Sequence, residues 1–234
     1  MTSTTKHKIA FVIFDCDGVL VDSEPIANRV FMEALNRAGV AITLSELFAN
    51  YVGLSLEQGL ARINQNYGVL LGNDFLVDYK VARDAALAEE IKPIAGVTDV
   101  ISQLSLPYCV ASNSEASKVE KMLSLTGLLA YFEGRIFSAA DLGKPKPAPD
   151  VYLKIAAQFG VNPAACLVIE DTTTGVRAGV AAGMKVIGYA ATTSAQALTE
   201  AGAFQVFKTM PEIQQSIIQL SAGTQSISER DGVL

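Results

Sequence analysis

Two aspartates with one residue between them, Asp15 and Asp17, follow the apolar run Ile9–Phe14 and precede Gly18. A carboxylate is a weak nucleophile unless a cation steadies it and draws charge from the electrophile. A second carboxylate two residues on can protonate a leaving group and later activate water. Gly18 lets the chain turn away without laying a side chain across the site. Three more clusters follow apolar runs in the same way. Ser112-Asn113-Ser114 offers a hydroxyl and turn N–H groups to a phosphate oxygen, although the same residues also suit a plain helix cap. Gly143–Asp150 (GKPKPAPD) places Lys144 and Lys146 among prolines, which hold an ammonium in a fixed approach to a charged group. Glu170-Asp171 supplies adjacent acids of the kind that a hard divalent cation such as Mg2+ takes, and that also favour a helix start. Each cluster alone also fits an ordinary loop. Together they provide a nucleophile, an acid/base, phosphate contacts, a fixed cation and metal ligands, a set suited to phosphoryl transfer.

Four clusters make one site only if their strand ends share an edge. Ile9–Phe14, Pro107–Ala111, Arg135–Ser138, Cys166–Ile169 and Lys185–Gly188 are short, apolar runs rich in β-branched residues. Between them the pattern predicts helices at Thr98–Ser105, Ala116–Leu125, Asp150–Gln158 and Thr174–Ala182. Alternation of this kind gives an α/β fold, a doubly wound parallel sheet of Rossmann-like form, whose ligand sites lie at the carboxyl ends of the strands. Residues 23–93 read differently, as helices only, over Pro25–Ala38, Leu44–Tyr51, Ser55–Asn66 and Asn73–Glu89. Ser23 is the expected cap of the first, with Pro25 at its first position. The expected organisation is a core of residues 1–22 and 94–222, an inserted all-helical cap of residues 23–93 acting as a lid, and a disordered tail at 223–234.

Composition removes several function classes. The chain has 234 residues, a formal net charge of −6 and no basic block, which disfavours nucleic acid or an anionic membrane as partner. The single histidine, His7, lies in a polar N-terminal stretch, so serine–histidine triads, Cys–His dyads and His-ligated zinc lack their key residue. Cys16, Cys109 and Cys166 sit in or beside apolar runs, as buried thiols in a reducing compartment do. Met1–Lys8 lacks the apolar stretch of a signal peptide, no membrane span is indicated, and a cytoplasmic location is expected.

Phe14-Asp15-Cys16-Asp17-Gly18-Val19-Leu20-Val21-Asp22-Ser23, Ser112-Asn113, Lys146-Pro147-Ala148-Pro149-Asp150 and Glu170-Asp171 resemble the four motifs of the haloacid dehalogenase superfamily. Their order is similar to that of members with a helical cap inserted after the first motif. The resemblance implies that Asp15 attacks phosphorus and that Asp17 is general acid and then base. It implies that Ser112, Asn113 and Lys146 bind the phosphoryl group. It further implies that Asp15, Asp17 (through its backbone carbonyl), Glu170 and Asp171 form the Mg2+ site, with Glu170 binding the ion or supporting it. Lys144 also fits K-P-x-P, but only Lys146 completes K-P-x-P-D.

The superfamily runs several reactions. Its dehalogenases lack the second aspartate, which Asp17 supplies here. Its phosphonate hydrolases use a cap lysine that the residues after Gly18 do not suggest. The β-phosphoglucomutases have a cap histidine where Ala27 stands, and an arginine where Leu56 stands in the loop Tyr51–Leu56. A phosphatase acting on a small organic phosphate, such as a sugar or sugar-acid phosphate, is therefore expected, with a mutase-like phosphotransferase or a non-catalytic regulator as alternatives. Lys80 and Arg83, and Asn28 and Arg29, are cap residues that could meet an anionic substrate or merely face solvent. A monomer or weak homo-oligomer is expected.

Overall fold

The structure, a computed structural model, describes residues 8–51 and 56–222. His7, the tail 223–234 and Val52–Ser55 of the cap loop lie outside the described residues. The chain divides into two compact units, Met1–Leu20 with Pro93–Leu234, and Val21–Lys92.

In the first unit six parallel strands form one sheet in the order β3-β2-β1-β4-β5-β6. They are β1 (Phe11–Phe14), β2 (Tyr108–Ser112), β3 (Ile136–Ser138), β4 (Cys166–Glu170), β5 (Lys185–Tyr189) and β6 (Gln205–Phe207). β1, β2 and β4 are buried along their whole length, which is why they read as unbroken apolar runs. Side chains alternate between the two faces. Phe11 and Ile13, Cys109 and Ala111, and Cys166 and Val168 enter one cluster with Val151, Tyr152 and Ile155 of helix α8 (Asp150–Phe159) and Val176 and Ala178 of α9 (Thr173–Ala181). The residues between them serve the other face, where the Phe14, Tyr108 and Phe132 rings meet edge to face at 5.4–6.3 Å. All three cysteines are buried free thiols.

The other α-helices among the described residues of the first unit are α5 (Val97–Ser102), α6 (Ala116–Leu125), α7 (Leu129–Phe132), α10 (Ala195–Glu200) and α11 (Met210–Ala222). β6, α7, α10 and α11 go beyond the elements expected from the sequence. β6 is a half-buried edge strand of three residues, QVF, with only β5 beside it. So short a segment carries no readable period and is defined by its partner.

The second unit holds α1 (Glu24–Arg37), α2 (Leu44–Asn50), α3 (Leu56–Tyr67) and α4 (Asn73–Glu90). α1 buries Ile26, Val30, Phe31, Ala34 and Leu35, a single stripe at helical spacing. Phe31 meets Phe75 and Tyr79 of α4 at 6.1 and 4.9 Å. α2 opens with a capping box between Thr43 and Glu46. Ser23 holds the N-cap position of α1, but its hydroxyl makes no capping bond, and Pro25 is the second helical residue rather than the first. Ser23 has helical backbone angles, not the extended ones that let a cap side chain reach back to the first turn. No described helix is long and apolar enough to cross a membrane.

α9 lies so close to the sheet that a Cβ on Gly179 would stand 2.6 Å from Val186 Cγ2. Gly179→Ala is therefore expected to destabilise the fold by about 1–3 kcal/mol through overpacking. Urea unfolding checks this as a lower midpoint with an unchanged slope.

Candidate active site

Parallel pairing sets three strand ends at one level. Phe14 pairs with Val110 on one side and Ile169 on the other, so one residue further Asp15 lies level with Ala111 and Glu170. The Asp15 N–H donates to the Ile169 carbonyl at 2.9 Å, which extends the ladder to the carboxylate itself. β1 is also where the strand order reverses, the position at which open α/β sheets form their ligand crevice. Beyond Asp15 the chain turns tightly, with Leu20 N–H on the Cys16 carbonyl at 2.9 Å and Gly18 at φ +78°. A Cβ at Gly18 would lie 2.1 Å from Asp171 Oδ2, so a glycine is required both for the angle and for the approach of Asp171.

Lys146 crosses the three strand ends. Its Nζ donates to Asp15 Oδ1 at 2.6 Å, to Glu170 Oε1 at 2.7 Å and to the Ala111 carbonyl at 2.9 Å. These use the three donors of an ammonium. The residue is only 5% exposed. Burial pushes a lysine pKa down, but Asp15 and Glu170 outweigh it and hold Lys146 well above its usual value. Asn113 fixes the lysine's backbone: its Oδ1 accepts the Lys146 N–H at 2.8 Å, and its Nδ2 donates to the Lys146 carbonyl at 3.4 Å. The Asn113 amide thus holds the lysine's backbone on both sides. Lys144, the other candidate, is exposed and pairs with Asp150 at 2.6 Å.

Asp15, Glu170 and Asp171 are buried and can bring one carboxylate oxygen each within 4.8 Å of one another. One ammonium does not balance three acids. Burial, and next the charge of Glu170, push Asp15 up to about 8 against the opposing pull of Lys146. An all-oxygen, electron-rich set of this kind fits a hard divalent cation. The Asp17 carboxylate is not part of that cluster; its Oδ2 accepts a hydrogen bond from Ser114 Oγ at 3.2 Å. Ser112 is buried, and its Oγ accepts the Ser114 N–H at 3.0 Å. Cys16, between the two aspartates, is no competing nucleophile, since burial and then Asp17 and Asp15 hold its thiol well above its usual value.

Sequence reasoning missed Tyr152 and Thr172. The Tyr152 hydroxyl donates to Glu170 Oε1 at 3.1 Å, and the Thr172 hydroxyl to Glu170 Oε2 at 2.9 Å. Tyr152 reads as a core position of α8, and nothing local shows where its hydroxyl ends. Thr172 follows the Glu170-Asp171 pair and caps α9, its hydroxyl accepting from the Gly175 N–H at 3.0 Å. In the helical unit Arg29 is engaged by Glu33 at 3.0 Å and Glu90 at 2.6 Å. Arg83 bonds Asp84 and lies 5.7 Å from the Tyr79 ring centre.

The profile of the haloacid dehalogenase-like hydrolases matches residues 12–189. The chain is 30% identical to the 6-phosphogluconate phosphatase of Escherichia coli K12, over 79% of this chain and 84% of that protein. It is 32% identical to the hexitol phosphatase B of the same organism, over 79% and 85%. A crystal structure of a haloacid dehalogenase-like protein of unknown function from Agrobacterium tumefaciens str. C58 superposes with a TM-score of 0.85. That protein is 37% identical, and the match covers 91% of this chain and 99% of that one.

The raised Asp15 has a consequence for stability. The fold favours its protonated form, so its stabilising contribution is complete below the ordinary carboxylate value near 3.8 and is lost as pH rises through about 8. Urea midpoints measured in a metal chelator are expected to fall over that interval. Asp15→Asn should flatten this part of the profile; an unchanged profile would mean that Asp15 is not the group that titrates.

Proposed function

The chain belongs to the haloacid dehalogenase-like hydrolase family, and we propose that it is a Mg2+-dependent phosphatase that hydrolyses a small phosphate monoester through an aspartyl-phosphate on Asp15. The observation that carries this reading is the buried ammonium of Lys146, 2.6 Å from the carboxylate that directly follows β1. A nucleophile that must approach a dianionic phosphate needs such a countercharge, held in place before the substrate arrives. The two phosphatase relatives support phosphoric monoester hydrolysis. Their names, one for a sugar-acid phosphate and one for hexitols, support a phosphorylated sugar or sugar acid as substrate.

In the first half-reaction an Asp15 oxygen forms a bond to phosphorus while the bond from phosphorus to the ester oxygen breaks. Asp17, protonated, gives its proton to the departing alcohol. In the second, the ionised Asp17 takes a proton from water, whose oxygen attacks the phosphoryl-aspartate. Inorganic phosphate leaves, and Asp15 is restored as a carboxylate. Lys146 neutralises Asp15 during approach and the growing charge on the phosphoryl oxygens. Ser112, at the end of β2, is read as a phosphoryl contact together with the N–H groups of the turn after it. The Ser114 hydroxyl orients the Asp17 carboxylate.

Asp15 and Asp171, the backbone carbonyl of Asp17 and, bound or supporting, Glu170 would hold the Mg2+. Once bound, the ion would shield charge between phosphate and carboxylates and draw electron density from phosphorus. Asp17 supports hydrolysis over dehalogenation, and Ala27 and Leu56 support a hydrolase over a sugar-phosphate mutase. We read residues 1–22 and 94–222 as the catalytic domain and 23–93 as an inserted helical domain.

Purified protein with Mg2+ is expected to release phosphate from an aryl phosphate and, faster, from one or more sugar or sugar-acid phosphates. Asp15→Asn should lower kcat roughly 10³-fold or more, as loss of a nucleophile does. Asp17→Asn should lower it roughly 10²–10⁴-fold, the range for an acid/base group. Saturating Mg2+ should raise the Tm, by binding only the folded state. A folded protein that releases no phosphate from any of these esters in Mg2+ would sink the reading.

A further inference from the structure

Glu170 is held more completely than a ligand kept ready for a metal needs to be. Its Oε1 accepts from Lys146 Nζ at 2.7 Å and from the Tyr152 hydroxyl at 3.1 Å. Its Oε2 accepts from Thr172 Oγ1 at 2.9 Å and from the Thr172 N–H at 3.2 Å. A carboxylate offers about four acceptor positions, and these four donors take them up. The α9 start closes the remaining side: a Cβ at Gly175 would fall 1.8–2.2 Å from the Glu170 carboxylate. Tyr152 acts on the lysine as well, with its ring centre 5.2 Å from Lys146 Nζ. Tyr152 is fully buried, so both its hydroxyl and its ring are fixed by the core cluster around α8.

We propose that Tyr152 is a positioning residue, which with Thr172 locks Glu170 as the fixed counterion of Lys146, so that Glu170 serves the lysine and not the metal. The inference deepens the phosphatase reading and rests on it for its kinetic part. A cation that took a Glu170 oxygen would have to displace Lys146, Tyr152 or Thr172, and would loosen the ammonium from Asp15. With Glu170 locked, the lysine keeps its place when charge moves from Asp15 to the phosphoryl group. The metal is then left to Asp15, Asp171 and the Asp17 carbonyl.

Tyr152→Phe keeps the ring and removes one donor. Loss of an outer-shell partner of this kind is expected to lower kcat about tenfold, within the range of 10–100-fold, with KM for the ester changed less than about twofold. If the ring merely fills space, the Phe variant matches wild type in kcat, and the positioning role is overturned. Thr172→Ser, which retains the hydroxyl, should keep the wild-type kcat, while Thr172→Val should fall as Tyr152→Phe does; an unaffected Val variant overturns the role of Thr172. Gly179→Ala controls for stability, since it is expected to lower the urea midpoint and to leave kcat intact.

Calorimetric titration with Mg2+ alone separates the two duties of the acids. Asp171→Asn should weaken Mg2+ binding roughly tenfold or more, because ligand charge sets the affinity. Glu170→Gln should leave it within about threefold of wild type. Equal weakening in both variants would return Glu170 to the metal. The titration needs no turnover, so an inactive wild type would count against the phosphatase reading while Glu170 is still judged by metal affinity.

Discussion

The ammonium of Lys146, buried between Asp15 and Glu170 and anchored on the Ala111 carbonyl, is the interaction on which the site depends. A lysine in that position cannot shed its proton at low cost, because two carboxylates hold it charged. Without a countercharge the buried carboxylates would repel one another. Removing one member of a buried pair typically costs about 3–5 kcal/mol, since the remaining charge is left without a partner. The supporting structure follows from this constraint. Asn113 clasps the lysine's backbone at both its N–H and its carbonyl, Tyr152 supports its charge from one side, and the register of β1, β2 and β4 brings its three acceptors to one height.

The same cluster is over-supplied with negative charge. Asp15, Glu170 and Asp171 converge on one ammonium, and burial together with the charge of Glu170 raises the Asp15 pKa to about 8. A cation at these acids, as proposed above, would offset that charge and favour the ionised form of Asp15. Oxygen-only ligands suit a hard ion rather than a soft one. Gly18 and Gly175 make the crowding sterically possible, because each leaves the space that an Asp171 or a Glu170 carboxylate occupies.

Much of this was readable from residue order. The strands β1, β2 and β4 announce themselves because burial on both faces leaves no room for polar alternation. α1, α4, α6, α8 and α9 fall within a residue or two of their expected bounds, since apolar period and cap residues are local. β6, α7, α10 and α11 were not anticipated. β6 shows why: three half-buried residues become a strand only through pairing with β5, and a partner eighteen or so positions away has no local trace.

For the site, the sequence by itself determined which residue types stand directly after each buried strand, and so which chemistry the chain can support. Asp15, Asp17, Ser112 and the Glu170-Asp171 pair were legible because strand ends are punctuated by Gly and polar residues. The sequence already favoured Lys146, which alone completes K-P-x-P-D, and the tertiary structure agrees, with Lys146 on Asp15 and Lys144 exposed beside Asp150. Only the tertiary structure gave the Asn113 amide to the lysine's backbone and the Tyr152 hydroxyl to Glu170. The physical reason is common to these cases: a side chain's hydrogen-bond partner is set by which strand ends the sheet brings level, and that depends on pairing between segments far apart in the chain.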